Sequence, residues 1–418
     1  MTENNIPNVI ICGGGPGGLL ASILLNNIGI KATVLEKAPE PDQWSTKSYS
    51  MVCGEKGQAA LDRGGCLESA KEVGNVRSCI YMLDGQSGKM KVIPKQQSTH
   101  GIGFSRPLLV ECIEKIAVTL PHVTLKRGTG ISQVAIKDDT DERGLEVHLE
   151  DGTVMSATHV IGADGKWSKV RQSFPSLNSQ AKMVSCPSFG VSLFTSSVPE
   201  GWKENGTHVI KAPEECMFYV IASRLPTGGL SISMVCYDQT LEKYPWLEPP
   251  ADLKTKDYGK GGWEDEYSAI PSGGNSDAAL SDHLEQLFQE TIPSFYDMLD
   301  KDIFKSARIN HRVSWLQMSA SEEGKKVSYS TEDGLVALIG DAAHAMTPSM
   351  GEGGNSAMES AVKLADAVIS AMKEKQESVC SIDTLSEALV QYGLSRPLEV
   401  QPIQEMSAAR NNKKPSIK

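Results

Sequence analysis

The sequence predicts an α/β chain: a domain built on a parallel sheet, interleaved with a mostly antiparallel β-sheet domain and followed by a C-terminal helix. Three observations predict it. The glycine-rich loop Gly13-Gly14-Gly15-Pro16-Gly17-Gly18 follows directly on an apolar run near the start of the chain. A second loop, Gly340-Asp341-Ala342-Ala343-His344 with Pro348, Gly351, Gly353, Gly354 and Asn355 after it, follows another apolar run far downstream. Between them, residues 184–240 break into short β-rich runs separated by turn residues such as Pro226-Thr227-Gly228-Gly229.

The first run, Asn8-Val9-Ile10-Ile11-Cys12, is short, apolar and rich in β-branched residues, so it reads as a buried parallel strand. Leu19, Leu20, Ile23, Leu24 and Ile28 then repeat at helical spacing, and Thr33-Val34-Leu35-Glu36 supplies the next strand. In the G-x-G-x-x-G pattern, Gly13 permits the tight turn, Gly15 lets the backbone approach a pyrophosphate, and Gly18 allows close helix–strand packing. The helix that opens at Pro16 and Gly17 offers unpaired N–H groups and partial positive charge to phosphates. Glu36, with Lys37 beside it, ends the second strand and suits ribose hydroxyls. A carboxylate there favours FAD or NAD over NADP.

The distant loop decides between the two. Leu335 to Ile339 reads as a strand, Gly340-Asp341 ends it, and Ala361, Leu364, Ala365, Val368, Ile369 and Met372 mark a helix beyond. Between the loops lies Gly162-Ala163-Asp164-Gly165-Lys166-Trp167-Ser168-Lys169-Val170-Arg171. These three motifs, in this order, resemble those of the group A flavoprotein monooxygenases, whose fold is like that of para-hydroxybenzoate hydroxylase. The resemblance spans about residues 7 to 372. It implies a Rossmann-like FAD-binding domain at 1–75, 101–175 and 316–375, and a substrate domain at 76–100 and 176–315. A helical segment at 376–410 and a disordered tail at 411–418 are expected to follow. It also implies non-covalent FAD held by Gly13, Gly15, Pro16, Gly17, Gly18, Glu36, Lys37, Arg106, Asp164, Asp341, Gly351, Gly353, Gly354 and Asn355. Asp341 would meet the ribityl chain or ribose-side hydroxyls, Arg106 the phosphates, and Pro348 the flavin ring. The backbone N–H groups of about Gly353 to Asn355 would face the pyrimidine edge, where a helix N-terminus stabilises the charge of a reduced flavin.

Composition agrees with a soluble enzyme. The 418 residues carry a net charge of −11, which argues against a nucleic-acid partner, and no apolar stretch reaches membrane-span length. The chain start shows no secretory signal, and nine scattered cysteines without C-x-x-C read as reduced thiols, so a cytoplasmic location is expected. No metal site is expected, His344 included, because no second ligand stands at i+4. There is no W-x-W-x-I-P, no F-x-G-x-x-x-H, no G-x-S-x-G and no second strand–GxGxxG–helix unit. Halogenase, Baeyer–Villiger and serine-hydrolase chemistry therefore fit less well than monooxygenation with NAD(P)H as a transient reductant.

Within the group the chain is most similar to the kynurenine 3-monooxygenases, without their C-terminal membrane anchor. The likeness rests on Ser48-Tyr49-Ser50-Met51-Val52, Ile93-Pro94, Ser105-Arg106, and Asn355 and Glu359 four apart. It implies hydroxylation of a small polar aromatic by molecular oxygen through a flavin C4a-hydroperoxide, with Pro348, Asn355, Glu359, His100 and Arg77 around the reacting ring. The positions of the tyrosine and arginine that bind substrate carboxylate fall on His100 and Ser78, with Arg77 one step away. Ser360 stands where most members carry Asp. A flavin oxidase or dehydrogenase on the same fold, or a non-catalytic flavin-binding redox sensor, remain the alternatives. Substrate, choice of NADH or NADPH, and oligomeric state are open.

Overall fold

The computed structural model describes residues 6–39, 50–97, 100–137, 144–226, 228–249, 278–320 and 325–411. The Pro-, Gly-, Asp- and Lys-rich stretch 248–276, which reads from sequence as a mobile loop, lies outside the described residues from 250 on; so do the expected tail from 412 on and Ser48 and Tyr49. The chain divides into two compact units. One is drawn from 1–74, 101–184 and 314–410, the other from 75–100, 185–313 and 411–418.

The first unit is built on a five-stranded parallel sheet. Its order is Val336–Leu338, His159–Gly162, Asn8–Cys12, Lys31–Leu35, Val123–Lys126. Val9, Ile10, Ile11, Ala32, Val34, Val160, Ile161, Val336, Ala337 and Leu338 are all buried. A parallel sheet covered on both faces demands such continuous apolar runs. The helix Pro16–Asn26 starts on a proline, which needs no N–H partner there, and buries Leu19, Leu20, Ile23, Leu24 and Leu25. The helix Gly353–Glu374 buries Met358, Ala361, Leu364, Ala365 and Val368 at spacings of three and four. It ends where Gln376 takes a left-handed backbone, φ +56°.

A further antiparallel sheet, Ile131–Ile136, Leu145–Leu149 and Val154–Ala157, belongs to this unit, as do the antiparallel strands Ser50–Cys53 and Gly101–Ser105. The helix Ile382–Asn411 buries Leu385, Leu389, Tyr392, Arg396, Val400, Gln404 and Ser407 along one face. It carries Pro397 and Pro402 inside it.

The second unit holds a seven-stranded sheet. Its order is Arg308–Ile309, Ser188–Thr195, Leu230–Tyr237, Phe218–Arg224, Gly206–Lys211, Cys79–Asp84, Met90–Pro94. All neighbours run antiparallel except Gly206–Lys211 beside Cys79–Asp84. The sheet's last two strands form an antiparallel hairpin, with Ile80 opposite Ile93. The sequence from Ser281 to Leu299 reads as one helix, but the structure has two, Ala278–Thr291 and Pro293–Tyr296. Pro293 forces the break: it excludes helical backbone at Ile292, which stands at φ −136°, ψ 53°. The α/β fold class predicted from sequence stands.

Candidate FAD site

The glycine loop is shaped by the strand that precedes it. Gly13 donates its N–H to Leu35 O at 2.8 Å and turns at φ +112°, and a Cβ there would lie 2.3 Å from Ala163 O. A Cβ on Gly18 would lie 2.0 Å from Gly13 O. Neither position has room for a side chain, as a tight turn and close helix–strand packing require. Gly15 caps the following helix with extended backbone and no side-chain cap. The N–H groups of Pro16–Asn26's first turn therefore have no side-chain partner, an arrangement that suits a phosphate.

Glu36 is buried, and both oxygens accept backbone N–H groups: Oε2 from Gly14 at 2.7 Å and Oε1 from Ala38 at 2.8 Å. It thus braces the loop that it follows in sequence, and each oxygen keeps a lone pair. Lys37 forms a surface ion pair with Glu150 at 2.9 Å.

Arg106 opens the helix Arg106–Ala117, and its Nη2 comes within 3.7 Å of where a Gly15 Cβ would be. Asp341 is exposed, follows Gly340 at φ +58°, and accepts no hydrogen bond from the described residues. Enclosure nevertheless pushes its carboxyl up, while Arg106 and Lys166 pull it down. The carboxylate is thus exposed to solvent while it feels the charge of those two cations, on the same unit as the glycine loop.

Asp164 accepts from Lys169 N at 2.6 Å and Val170 N at 3.2 Å through Oδ2, and burial raises its pKa. Its Oδ1 is buried without a partner. An orphan acceptor of this kind calls for a donor from a bound molecule or water. Two residues of the same motif carry geometry that the motif alone did not assign. Arg171 is buried and donates to Ala342 O at 2.6 Å and Lys166 O at 2.8 Å, tying the two downstream motifs together. Lys166 donates to Ser314 Oγ at 3.1 Å.

Pro348 begins the turn Pro348–Met350 and is exposed, and Gly351 closes that turn at φ +69°. Gly353 and Gly354 open the long helix. Asn355, at 3% exposure, uses its amide on the chain itself. Oδ1 accepts from Gly54 N at 3.0 Å, and Nδ2 donates to Val52 O at 3.2 Å and Gly351 O at 3.0 Å. Glu359 pairs with Arg396 at 2.7 Å and Lys56 at 3.5 Å. Arg396, 1% exposed, also donates to Ser360 Oγ, Ser356 O and Glu399. His344 lies in the same cluster, its Nε2 2.8 Å from Ser360 Oγ, and burial with Arg396 nearby lowers its pKa to about 3.

The other two residues expected at the substrate belong to the second unit. Arg77 is fully buried there, and its guanidinium donates to the carbonyls of Glu204, Gly206 and Arg224. Those three bonds anchor the sheet through both terminal nitrogens, and the Nε is buried without a partner. His100 places Nε2 3.3 Å from Lys95 O. Among the described residues no cluster of His, Cys, Asp and Glu could hold a metal, and no helix is long and apolar enough to cross a membrane.

The parallel sheet, glycine loop and open Asp341 with its cations define a dinucleotide-binding flavoprotein fold. Residues 7–257 and 282–387 match the FAD binding domain family, and the chain belongs to it. It carries the FAD-binding domain, with the fold of the FAD-dependent aromatic hydroxylases. Among curated relatives, the 3-hydroxybenzoate 6-hydroxylase of Klebsiella oxytoca is 24% identical over 87% of this chain and 80% of its own length. The FAD-dependent urate hydroxylase of Mycolicibacterium vanbaalenii is 24% identical over 85% and 78%. A chloroplastic zeaxanthin epoxidase of Prunus armeniaca is 25% identical over 96% of this chain, which spans only 54% of that relative. Two solved structures share the fold. One is a 2-methyl-3-hydroxypyridine-5-carboxylic acid oxygenase variant, with TM-score 0.66, 18% identity and 97% and 90% coverage of the two chains. The other is a variant of HpxO from Klebsiella pneumoniae complexed with FAD, with TM-score 0.67, 18% identity and 97% and 89% coverage.

Proposed function

We propose that the protein is an FAD- and NAD(P)H-dependent monooxygenase that hydroxylates a small, polar aromatic or heteroaromatic substrate. The observation that carries this reading is the uncommitted Asp341 carboxylate, set with Arg106 and Lys166 on the unit that bears the glycine loop. The relatives named for hydroxybenzoate and urate hydroxylation support the substrate class.

Bound FAD supplies the two-electron chemistry and the activation of oxygen. The reaction consumes NAD(P)H, a proton, one O2 and the aromatic, and yields NAD(P)+, water and the hydroxylated product. The chain's own residues bind and orient. Arg106 meets the phosphates, Glu36 offers its remaining lone pairs to ribose hydroxyls, and Asp341 accepts from hydroxyls of the linking chain. The N-terminal turn of Gly353–Glu374 presents N–H groups and a positive helix end to negative charge on the ring. Asn355 and Glu359 act in this reading within the chain, Asn355 holding Gly54 and Gly351 and Glu359 holding Arg396. A kynurenine-like amino-acid substrate is the narrower reading, and it requires Glu359 to leave its pair with Arg396.

The test is stoichiometric. NAD(P)H oxidation is screened against aromatic acids and phenols, with peroxide and product measured in parallel. One oxygen consumed per hydroxylated product supports monooxygenation. Peroxide that accounts for all oxygen consumed, with an oxidised but not oxygenated product, makes the protein an oxidase.

A further inference from the structure

The helix Ile382–Asn411 buries polar side chains where packing alone would want apolar ones. Arg396, Gln404 and Ser407 are each no more than 1% exposed. Two of them grip one short segment. Gln404 Nε2 donates to Ala345 O at 3.1 Å and to Leu316 O at 2.9 Å. Ser407 Oγ donates to Thr347 O at 2.8 Å and lies 2.6 Å from Thr347 Oγ1, while Ser349 Oγ donates to Ser407 O at 2.7 Å. With Thr347 Oγ1 as the donor to Ser407, every proton in this ring has a single acceptor. Residues on both sides of Pro348 are therefore fixed by one residue of another helix. The same helix carries Gln401, which donates to Met318 O at 2.9 Å and makes no bond to that segment.

We propose that Ser407 and Gln404 are positioning residues for the flavin: through Ala345, Thr347 and Ser349 they set where Pro348 stands against the ring. This rests on the reading that Pro348 borders the isoalloxazine. A segment held from outside the motif explains why polar residues are buried at these positions. It also predicts that loosening the brace changes flavin environment and coupling before it changes flavin affinity.

The experiment compares Ser407→Ala, Gln404→Ala and Gln401→Ala in the FAD-loaded protein, with Ser407→Thr as the conservative variant. The readouts are the visible absorption and fluorescence of bound flavin, the FAD dissociation constant, and the share of reducing equivalents recovered as peroxide. Ser407→Ala and Gln404→Ala are expected to shift the flavin spectrum and raise the peroxide share by up to roughly tenfold, because a small misplacement near the reacting atoms is costly. Gln401→Ala and Ser407→Thr should match wild type. If Ser407→Ala does not fold, Thr347→Val removes the same hydroxyl pairing from the other side. Spectra and peroxide shares for Ser407→Ala, Gln404→Ala and Thr347→Val that equal those of Gln401→Ala overturn the proposal while leaving the FAD site intact. A wild-type protein that takes up no FAD overturns the site reading as well.

Discussion

Asp341 and Glu359 lie on the same unit, on neighbouring segments, and stand in opposite conditions. Asp341 is exposed, with Arg106 and Lys166 near it but no hydrogen bond from the described residues. Glu359 is bound by a guanidinium that is itself bonded to Ser360, Ser356 and Glu399. The first region is built to be completed by a ligand. The second is already complete, and a ligand there would have to displace an ion pair. A charged residue near a cofactor motif is thus not by itself a substrate contact; what its polar atoms already bond decides its role.

The largest effect that would sharpen this contrast comes from Arg396→Met. It keeps the stem and removes the charge, leaving Glu359 and the Ser356 carbonyl without their buried partner. Stability should fall by about 3–5 kcal/mol, the usual cost of breaking a buried pair, as read by urea unfolding. The FAD affinity of the folded fraction should change far less.

Asp341→Ala should do the reverse. Loss of a charged acceptor costs about 1.5–3 kcal/mol of FAD binding, on the order of tenfold to a hundredfold in dissociation constant. The unfolding midpoint of the apoprotein should hardly move. Arg106→Ala should follow Asp341→Ala, whereas Arg77→Ala should destabilise the second unit by orphaning three carbonyls and leave FAD affinity alone.

Acid should attack the completed region. His344 is buried and neutral, with its pKa lowered to about 3. Between its unfolded value, near 6.5, and that lowered value, the unfolded chain binds a proton that the folded chain refuses. Stability is therefore full above about pH 6.5 and is lost as pH falls toward 3, at up to about 1.4 kcal/mol per pH unit from this group. Unfolding free energies measured from pH 7 to pH 4 should show the slope, and His344→Gln should flatten it. An unchanged slope in that variant would remove His344 as the cause.

The smallest expected effect is that of Glu359→Gln. An amide still accepts from Arg396, so about 1 kcal/mol of stability is lost, the difference between a charged and a neutral hydrogen bond. KM and coupling should stay at wild-type values. A raised KM with unchanged stability would return Glu359 to the substrate.

Residues whose role is set by backbone were legible from sequence. Asn8–Cys12 was readable as a strand because a covered parallel strand admits only apolar residues, and Gly13 and Gly18 because their positions exclude a Cβ. Asp341 was legible as the end of a strand carrying a motif. Residues whose role depends on a distant partner were not. Arg77 meets carbonyls more than a hundred positions away, and Arg396 meets Glu359 across a helix–helix contact. Ser407 carries no motif; its only signal was a buried stripe with hydroxyl and amide side chains in it. The strand Gly206–Lys211 went unread because Gly-Thr-His-Val-Ile-Lys is short and partly polar, and only its parallel neighbour Cys79–Asp84 fixes it.

The most direct test of the contrast is an FAD titration into apoprotein, followed by flavin fluorescence, for wild type, Asp341→Ala and Glu359→Gln. The dissociation constant should rise at least about tenfold for Asp341→Ala and stay at the wild-type value for Glu359→Gln. Equal constants for wild type and Asp341→Ala, or a loss confined to Glu359→Gln, would contradict the assignment of the open region to the cofactor.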